Sequence, residues 1–379
     1  MRHNMIRMKE KPFDFLRRMK DGTAFDKSVL DNWYQARAFV LEKIKDVAFR
    51  PDDNHFLHVV VNGDSPLMLS VVRQIALTAH YTNFFEGNEH EHPRNRTVIT
   101  LVSKMPTIRM ELEKEEYLFN LPKYCKYSEW DSTPENEDSF IDIEIRVVEE
   151  WAEKGGVDVD QVFTESEVQN YCRSKEAEGM DIHSIDTLKA IYANRMYGLG
   201  AIIDNLPAED IHCAKRYTMA LEVFQHEKLK DIPKPLFSEN MIVDNNSVRE
   251  ILSNIFCADC FESREKSIKL MSKGDERKEK ELWEKNNEAL SRSEHSRWVV
   301  EKLIMGYSPL NAQQRFMDEC LFYDKKKRKQ YRNRLKRNST HPAHIDLCSY
   351  SNLRRINPDD MKFDSFLMLA IPVILRKTK

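Results

Sequence analysis

The chain has 379 residues, of which 41% are hydrophobic and 32% charged, and its formal net charge is −3. This length predicts two or three domains, and the apolar content is sufficient for packed cores. A net charge so close to zero gives no general reason to expect nucleic-acid binding. The longest apolar runs are far shorter than the roughly 18–20 residues of a membrane span, and the N-terminus lacks an apolar signal core. We therefore expect a soluble, cytoplasmic protein.

Seven cysteines are dispersed along the chain, an odd number that is typical of reduced thiols and not of a disulfide framework. Cys257 and Cys260 form a lone CxxC motif. A structural zinc site needs two more ligands at matching spacing, and the nearby sequence offers neither a second CxxC nor an HxxxH pair. We predict no metal site and leave the cofactor unassigned.

Apolar side chains recur at helical spacing in residues 1–50, which predicts a helical N-terminal segment. Trp33, Ala36 and Val40 share one face of such a helix. The sequence that follows, Arg50–Asn54, contains proline, aspartate and asparagine and predicts a connection.

Residues 51–270 are predicted to form a Rossmann-like α/β domain with helical additions. Phe56–Val61 is a run of aromatic and β-branched residues that is typical of a buried strand. A glycine turn follows, and Leu67–His80 then has helical spacing. Strand, glycine turn and helix are the opening unit of a doubly wound parallel sheet. Two more strands are predicted, at Thr97–Val102 and Ile141–Val148.

The glycine turn is a candidate anion site, because a helix N-terminus favours negative charge. Gly63, Asp64 and Ser65 would lie near a bound phosphate. The GxGxxG fingerprint of dinucleotide sites is absent, however, and Asp64 would repel a phosphate. Thr97–Val102 is followed by Ser103 and not by the acidic residue that holds a ribose 2′-hydroxyl. A structural scaffold, a nucleotide-type ligand site and a nicotinamide-dependent enzyme all stay open.

Asn286–Tyr307 is the most specific stretch of the sequence. It has no proline, and no glycine before Gly306, as a long helix requires. Its apolar residues form one stripe, the ordinary core face of a helix. Trp298 points away from that stripe, towards polar residues. The polar neighbours are Glu294, Glu301 and Lys302, with Met305 on the same side and His295 at its margin.

A large aromatic side chain among carboxylates, an ammonium and an imidazole has three explanations. Trp298 could pack against a following loop as a second packing surface. It could stack on a planar ligand whose orientation the charges would fix. It could also contact a partner protein.

The order of these residues resembles the first helix of the ryanodine receptor repeat domain. The downstream His341-Pro342, the acidic Asp359-Asp360 and the closing segment Phe363–Lys377 agree with the same pattern, so that the resemblance covers about residues 286–377. The family mostly has tryptophan at the position of Tyr307. The longer segment between Tyr307 and His341 predicts an insertion.

The resemblance implies a mainly helical domain over residues 275–379. Domains of this family in bacteria and phages resemble modules that bind ligands or nucleotide derivatives, and they are often attached to Rossmann-like domains. The turn at His341-Pro342 would fold back towards Trp298. The implied ligand-binding residues are Glu294, His295, Trp298, Glu301, Lys302, Tyr307, His341 and Pro342.

A dense basic cluster lies in the predicted insertion, where nine of the fourteen residues from Asp324 to Arg337 are lysine or arginine. It could be an arm that contacts the phosphates of nucleic acid or of an anionic ligand. It could also be a solvated helix whose charge is balanced by acidic segments elsewhere. Tyr323 and Tyr331 are the aromatic residues of this run, too few for a platform that stacks single-stranded bases.

We therefore predict a sensor or effector whose C-terminal domain recognises a small molecule, with a nucleotide derivative as the proposed class. Trp298 would stack on a base, and Glu294 and Glu301 would accept hydrogen bonds from its edge or from ribose. Two alternatives stay open: a nucleotide- or NAD-dependent enzyme that uses the glycine turn, and a nucleic-acid-binding or scaffolding protein that uses residues 325–337. We predict no catalytic residue, and the sequence leaves homo-oligomerisation open.

Overall fold

The computed structural model describes residues 27–86, 94–130, 132–151, 159–183, 188–204, 221, 224–226, 245–338, 340–358 and 360–378. Residues 1–26 of the predicted helical N-terminal segment lie outside these ranges, as does Asp359 of the acidic pair. None of the helices in the described ranges has a stretch long and apolar enough to cross a membrane.

Five parallel strands form the central sheet, in the order β3-β4-β2-β1-β5. They are β1 (His58–Asn62), β2 (Thr97–Val102), β3 (Lys126–Glu129), β4 (Ile143–Val148) and β5 (Gln161–Thr164). A parallel sheet is covered on both faces, so its central strands are apolar throughout. Val59, Val60 and Val61 of β1 are accordingly all fully buried. The predicted α/β class with a parallel sheet is confirmed.

The three predicted strands correspond to β1, β2 and β4, with bounds that differ by at most two residues. The sequence does not predict β3 and β5, which have four residues each, KYSE and QVFT. Such short segments with mixed polarity contain too few residues for an alternating pattern to be recognised.

Several helices precede the predicted C-terminal domain in the described ranges. They include α1 (Lys27–Ile44), α2 (Pro66–Thr78), α3 (Ile108–Leu112), α4 (Glu165–Ala177), α5 (Leu188–Asp204), α6 (Asn245–Asp259) and α7 (Phe261–Ser272). The predicted start of α2 is confirmed, since Ser65 caps it by accepting a hydrogen bond from the backbone N–H of Met68 and Pro66 occupies its first turn.

The C-terminal region is mainly helical, with one short pair of parallel strands. Its described helices are α8 (Glu276–Lys285), α9 (Asn287–Ile304), α10 (Ala312–Cys320), α11 (Lys325–Lys336), α12 (Tyr350–Ile356) and α13 (Met361–Thr378). The strands β6 (Ser308–Pro309) and β7 (Ala343–His344) pair with each other. Together they bring the segment after α11 back to the end of α9.

One hydrophobic core contains residues from all three predicted segments. Phe39 of α1, Ile99 of β2 and Val300 of α9 are each fully buried in it. The side-chain amide of Asn120 also donates to the backbone carbonyl of Tyr307, at 2.9 Å. Helices α1 and α9 therefore pack on the α/β part as members of the same core.

Gly306 ends α9 at the point where the two parts meet. Its φ of +88° lies in the left-handed region, which favours glycine. A Cβ atom at this position would overlap Cε1 and Cδ1 of Phe119. The close approach between the C-terminal region and the α/β part thus requires a residue without a side chain.

We expect Gly306→Ala to lower the free energy of unfolding by about 2–4 kcal/mol. About 1 kcal/mol would come from the left-handed backbone and the rest from overlap with Phe119. Gly274→Ala is the matched control, because Gly274 has φ +81° and a Cβ added there would meet no atom within 4 Å. That control should lose only about 1 kcal/mol. Equal losses of the two variants in urea unfolding would contradict the close approach.

Candidate functional site

A buried row of charges runs along one side of α9. Glu294, Arg297 and Glu301 are each at most 1% exposed. The Arg297 guanidinium donates to Glu294 through Nε and Nη2, at 2.9–3.1 Å, and to Glu301 through Nη1, at 2.6 Å. Spacings of three and four residues place these side chains next to one another on a helix. Arg297 therefore links both carboxylates within the helix.

Neighbouring helices complete this ion cluster. Arg264 of α7 donates to Glu294 Oε2 at 2.6 Å, and Ser253 of α6 donates to Glu301 Oε2 at 2.9 Å. Lys302 donates to Glu301 Oε1 at 2.7 Å. Burial by itself would raise the pKa of Glu294, but the guanidinium groups of Arg297 and Arg264 outweigh it and lower that pKa to about 2.

Glu294 and Glu301 therefore occupy an internal ion cluster, in which both oxygens of each carboxylate accept hydrogen bonds from the protein. We expected them to accept hydrogen bonds from a ligand, and their complete burial does not fit that role. The helical pattern places them on the polar side of α9, but it does not show that Arg264 lies across from them. The sequence did contain one indication of this ion cluster, because Arg297 is spaced three and four residues from the two glutamates.

Trp298 is half-buried and lies among three polar or aromatic groups. The ring of His295 stacks on it at a centroid distance of 6.0 Å, with an angle of 22° between planes. The ammonium of Lys302 is 5.7 Å from the indole centroid. His344 of β7, which the sequence did not single out, contacts the indole edge-on at 4.9 Å.

Both imidazoles beside Trp298 are neutral near pH 7. Burial lowers the pKa of His295 to about 4, and its Nε2 lies 2.8 Å from the backbone carbonyl of Cys348, to which it donates. Burial, followed by the ammonium groups of Lys336 and Lys302, lowers the pKa of His344 well below its usual range. His344 Nδ1 accepts a hydrogen bond from the backbone N–H of Asp346. Two uncharged imidazole rings thus contact the indole.

His341 and Pro342 lie directly before β7. The carbonyl of Pro342 accepts a hydrogen bond from the N–H of Ser308 at 2.9 Å, which fixes the pairing of β6 and β7. The Tyr307 ring faces His344, with 6.4 Å between centroids. The side chain of His341 is exposed, and it is His344 that contacts the indole.

Two carboxyl groups, those of Asp346 and Asp360, form a pair in the segment that follows His344. The amide of Asn357 donates to Asp346 Oδ1 at 2.8 Å and to Asp360 Oδ2 at 2.7 Å. Burial, followed by the neighbouring Asp360, raises the pKa of Asp346 to about 7. Burial also lowers the pKa of Lys336. Strongly perturbed groups that lie together are typical of functional sites.

The glycine turn lies at the carboxyl end of β1, between β2 and β5, which is where open α/β sheets commonly bind ligands. Gly63 has φ +120°, and its N–H donates to the carbonyl of Val102. Ser103 Oγ donates to Asp64 Oδ2 at 2.5 Å, and Ser65 caps α2. All three residues of the predicted nucleotide site therefore hold the strand-to-helix connection in place.

A cavity of about 280 Å³ lies between Phe140 of the α/β part and the helices α10, α11 and α12. Arg315, Arg328 and Arg355 line it, and Asp318 forms an ion pair with Arg328 across 2.6 Å. The chain that follows His344 lines the cavity as well, through Ile345 and Cys348. This segment therefore contributes both to the surroundings of the indole and to a basic cavity.

The CxxC cysteines are fully buried where α6 meets α7. Burial raises the thiol pKa of Cys260 to about 12, and it also raises that of Cys257. The Cys260 thiol donates to the backbone carbonyls of Thr78 and Phe256, each at 3.5 Å. Buried thiols in this protonated state are inert packing groups.

Comparison of the chain with models of protein families, with curated proteins and with solved structures found no match. The resemblance to the ryanodine receptor repeat domain stays a prediction.

We expect the free energy of unfolding to fall as the pH decreases from about 4.5 to about 2. The folded-state pKa of Glu294 lies below its ordinary value of 4.5. Its stabilising contribution is therefore present above the ordinary pKa and is lost as the pH falls through about 2. A shift of this size corresponds to about 3 kcal/mol. Urea unfolding across this pH range measures it.

Glu294→Gln should abolish this part of the pH dependence. It should also lower stability at pH 7 by about 3–5 kcal/mol, because it leaves the buried guanidinium of Arg264 without a counter-charge and leaves Arg297 with Glu301 alone. The matched control is Glu288→Gln on the same helix, since the exposed pair of Glu288 with Arg354 should contribute at most about 1 kcal/mol. An unchanged acid profile in Glu294→Gln would contradict the assignment.

Proposed function

We propose that the C-terminal region binds a small planar ligand, a nucleotide derivative, against the indole of Trp298. The observation that carries this proposal is the half-buried ring itself, held between two neutral imidazoles with the ammonium of Lys302 beside it. Aromatic rings of this kind stack on planar groups, and a nearby cation adds affinity for anionic ones. Such a combination suits a base that carries phosphate.

The indole is held in place before any ligand arrives. Glu301 binds the ammonium of Lys302, and Arg297 fixes Glu301 from the inside of α9. His295 is fixed in turn by its hydrogen bond to the Cys348 carbonyl. A site built from side chains that are already ordered loses little conformational entropy when a ligand binds.

The charges around His344 favour an anionic ligand. Lys336, Lys302 and Arg332 all lie close enough to this imidazole to lower its pKa. Arg332 is neutralised by Asp318, whereas the ammonium of Lys302 is shared between Glu301 and the face of the indole. A phosphate placed beside Lys302 and Lys336 would be attracted by both ammonium groups.

Asp346 takes the role that the sequence suggested for the glutamates. Burial and the neighbouring Asp360 raise its pKa, which favours the protonated carboxyl group. A carboxyl group in that state can donate a hydrogen bond as well as accept one. It suits a ribose hydroxyl or the polar edge of a base.

The resemblance to the ryanodine receptor repeat domain supports the same ligand class and a role as a sensor or effector. A ligand at this site would act close to the α/β part. Glu86 of that part accepts hydrogen bonds from the backbone N–H groups of Tyr350 and Ser351, at the start of α12. Tyr350 in turn lies against His295, with 5.7 Å between their ring centroids.

Screening of nucleotides and cyclic dinucleotides by thermal shift, followed by calorimetric titration, tests this proposal. Trp298→Ala should weaken binding by about 10- to 100-fold, since stacking of a base on an aromatic ring contributes about 1–3 kcal/mol. Lys302→Met should weaken binding of phosphorylated ligands and have less effect on the corresponding nucleosides. Trp130→Ala is the control, because this exposed tryptophan lies in the α/β part. Identical affinities for the Trp298→Ala variant and the unaltered protein would contradict the proposal.

A further inference from the structure

The hairpin of α10 and α11 exposes a group of large apolar side chains. Phe322 and Tyr323, in the turn between the helices, are 57% and 96% exposed. Phe316 and Met317, in the preceding helix, are 63% and 41% exposed. Single exposed apolar residues need no explanation, but here four large ones lie within eight residues of the sequence.

The same hairpin carries a surplus of positive charge. Arg328 and Arg332 turn inward and pair with Asp318, and Lys327 lies 3.2 Å from Asp324. The other exposed bases of α11 and its C-terminal end form no ion pair within the part of the chain that the structure describes. They are Lys325, Lys326, Lys329, Arg334 and Arg337.

The exposed rings and the lysines project from one place, the apex of the hairpin. Phe322 and Tyr323 contact each other edge-on, at 5.3 Å between centroids. The guanidinium of Arg328 lies 5.1 Å from the Phe322 ring, which holds that ring against the first turn of α11. Asp324 caps the helix by accepting from the N–H of Lys327, so that Lys325, Lys326 and Lys327 follow the rings directly.

We propose that this apex docks on an anionic lipid bilayer, with Phe322 and Tyr323 entering the headgroup region and Lys325, Lys326 and Lys329, unpaired within the described chain, contacting the lipid phosphates. Amphipathic surfaces that combine aromatic residues with lysine bind membranes in this way. A nucleic acid would account for the lysines through its phosphates. It would leave the exposed rings of Phe322 and Tyr323 without an apolar environment, which is why a bilayer fits better. The proposal is independent of the ligand at Trp298.

Co-sedimentation of the full chain with vesicles tests the proposal, with phosphatidylcholine alone and with added phosphatidylglycerol. We expect binding only to the vesicles that contain phosphatidylglycerol. The triple variant Lys325→Gln, Lys326→Gln, Lys329→Gln should bind roughly 100-fold more weakly, at about five-fold per lysine. The double variant Phe322→Ser, Tyr323→Ser should bind at least about ten-fold more weakly.

The matched control removes the same charge elsewhere on the surface, through Arg277→Gln, Lys280→Gln and Lys285→Gln in the exposed helix α8. It should bind vesicles as the unaltered chain does. The proposal is overturned by equal binding to neutral vesicles, by no binding to either kind, or by an equal loss in the control. Unchanged binding of the serine variant would also overturn it. So would a DNA duplex that displaces the protein from vesicles and binds through the same lysines.

Discussion

The contact on which the C-terminal region depends is the bidentate pairing of Arg297 with Glu294, extended to Glu301. These charges are withdrawn from water, and an unpaired charge there would be costly. Arg264 of α7 and Ser253 of α6 complete the hydrogen bonds, so α9 is tied to two other helices. A rotation of α9 about its axis, or a shift along it, would break several of these bonds together.

Because the rotation of α9 about its axis is fixed, the surroundings of the side chains on its other sides are fixed as well. Val300 enters the core that contains the sheet, while Trp298 remains half-buried beside β7. Gly306 then ends the helix against Phe119, where a side chain would not fit. The same helix thus joins the α/β part to the C-terminal region and presents the indole. Mutations of Glu294 or Arg297 would therefore affect the candidate site although neither side chain contacts the indole.

Local patterns in the sequence predicted the elements that are long and regular. They located α9, the three longer strands and the cap at Ser65, but missed β3 and β5, which are short and partly polar. They also grouped Trp298 with His295 and Lys302. They did not find His344, 46 residues beyond Trp298, because a helical pattern shows which way a side chain points and not which segment lies opposite. The buried state of Glu294 was hidden for the same reason, since its partner Arg264 precedes it by 30 residues.

The basic helix α11 shows why net charge is a poor guide to a particular surface. The whole chain carries a formal charge of −3, which by itself gave no general reason to expect nucleic-acid binding. Yet the inner side of α11 directs its arginines to Asp318, and Lys336 lies near the carboxyl pair of Asp346. Its outer side leaves Lys325, Lys326 and Lys329 in solvent, where no carboxylate of the described chain pairs with them. Charges in salt solution interact over only about 10 Å. The outer side of α11 therefore acts as a cationic surface, although the net charge of the whole chain is negative.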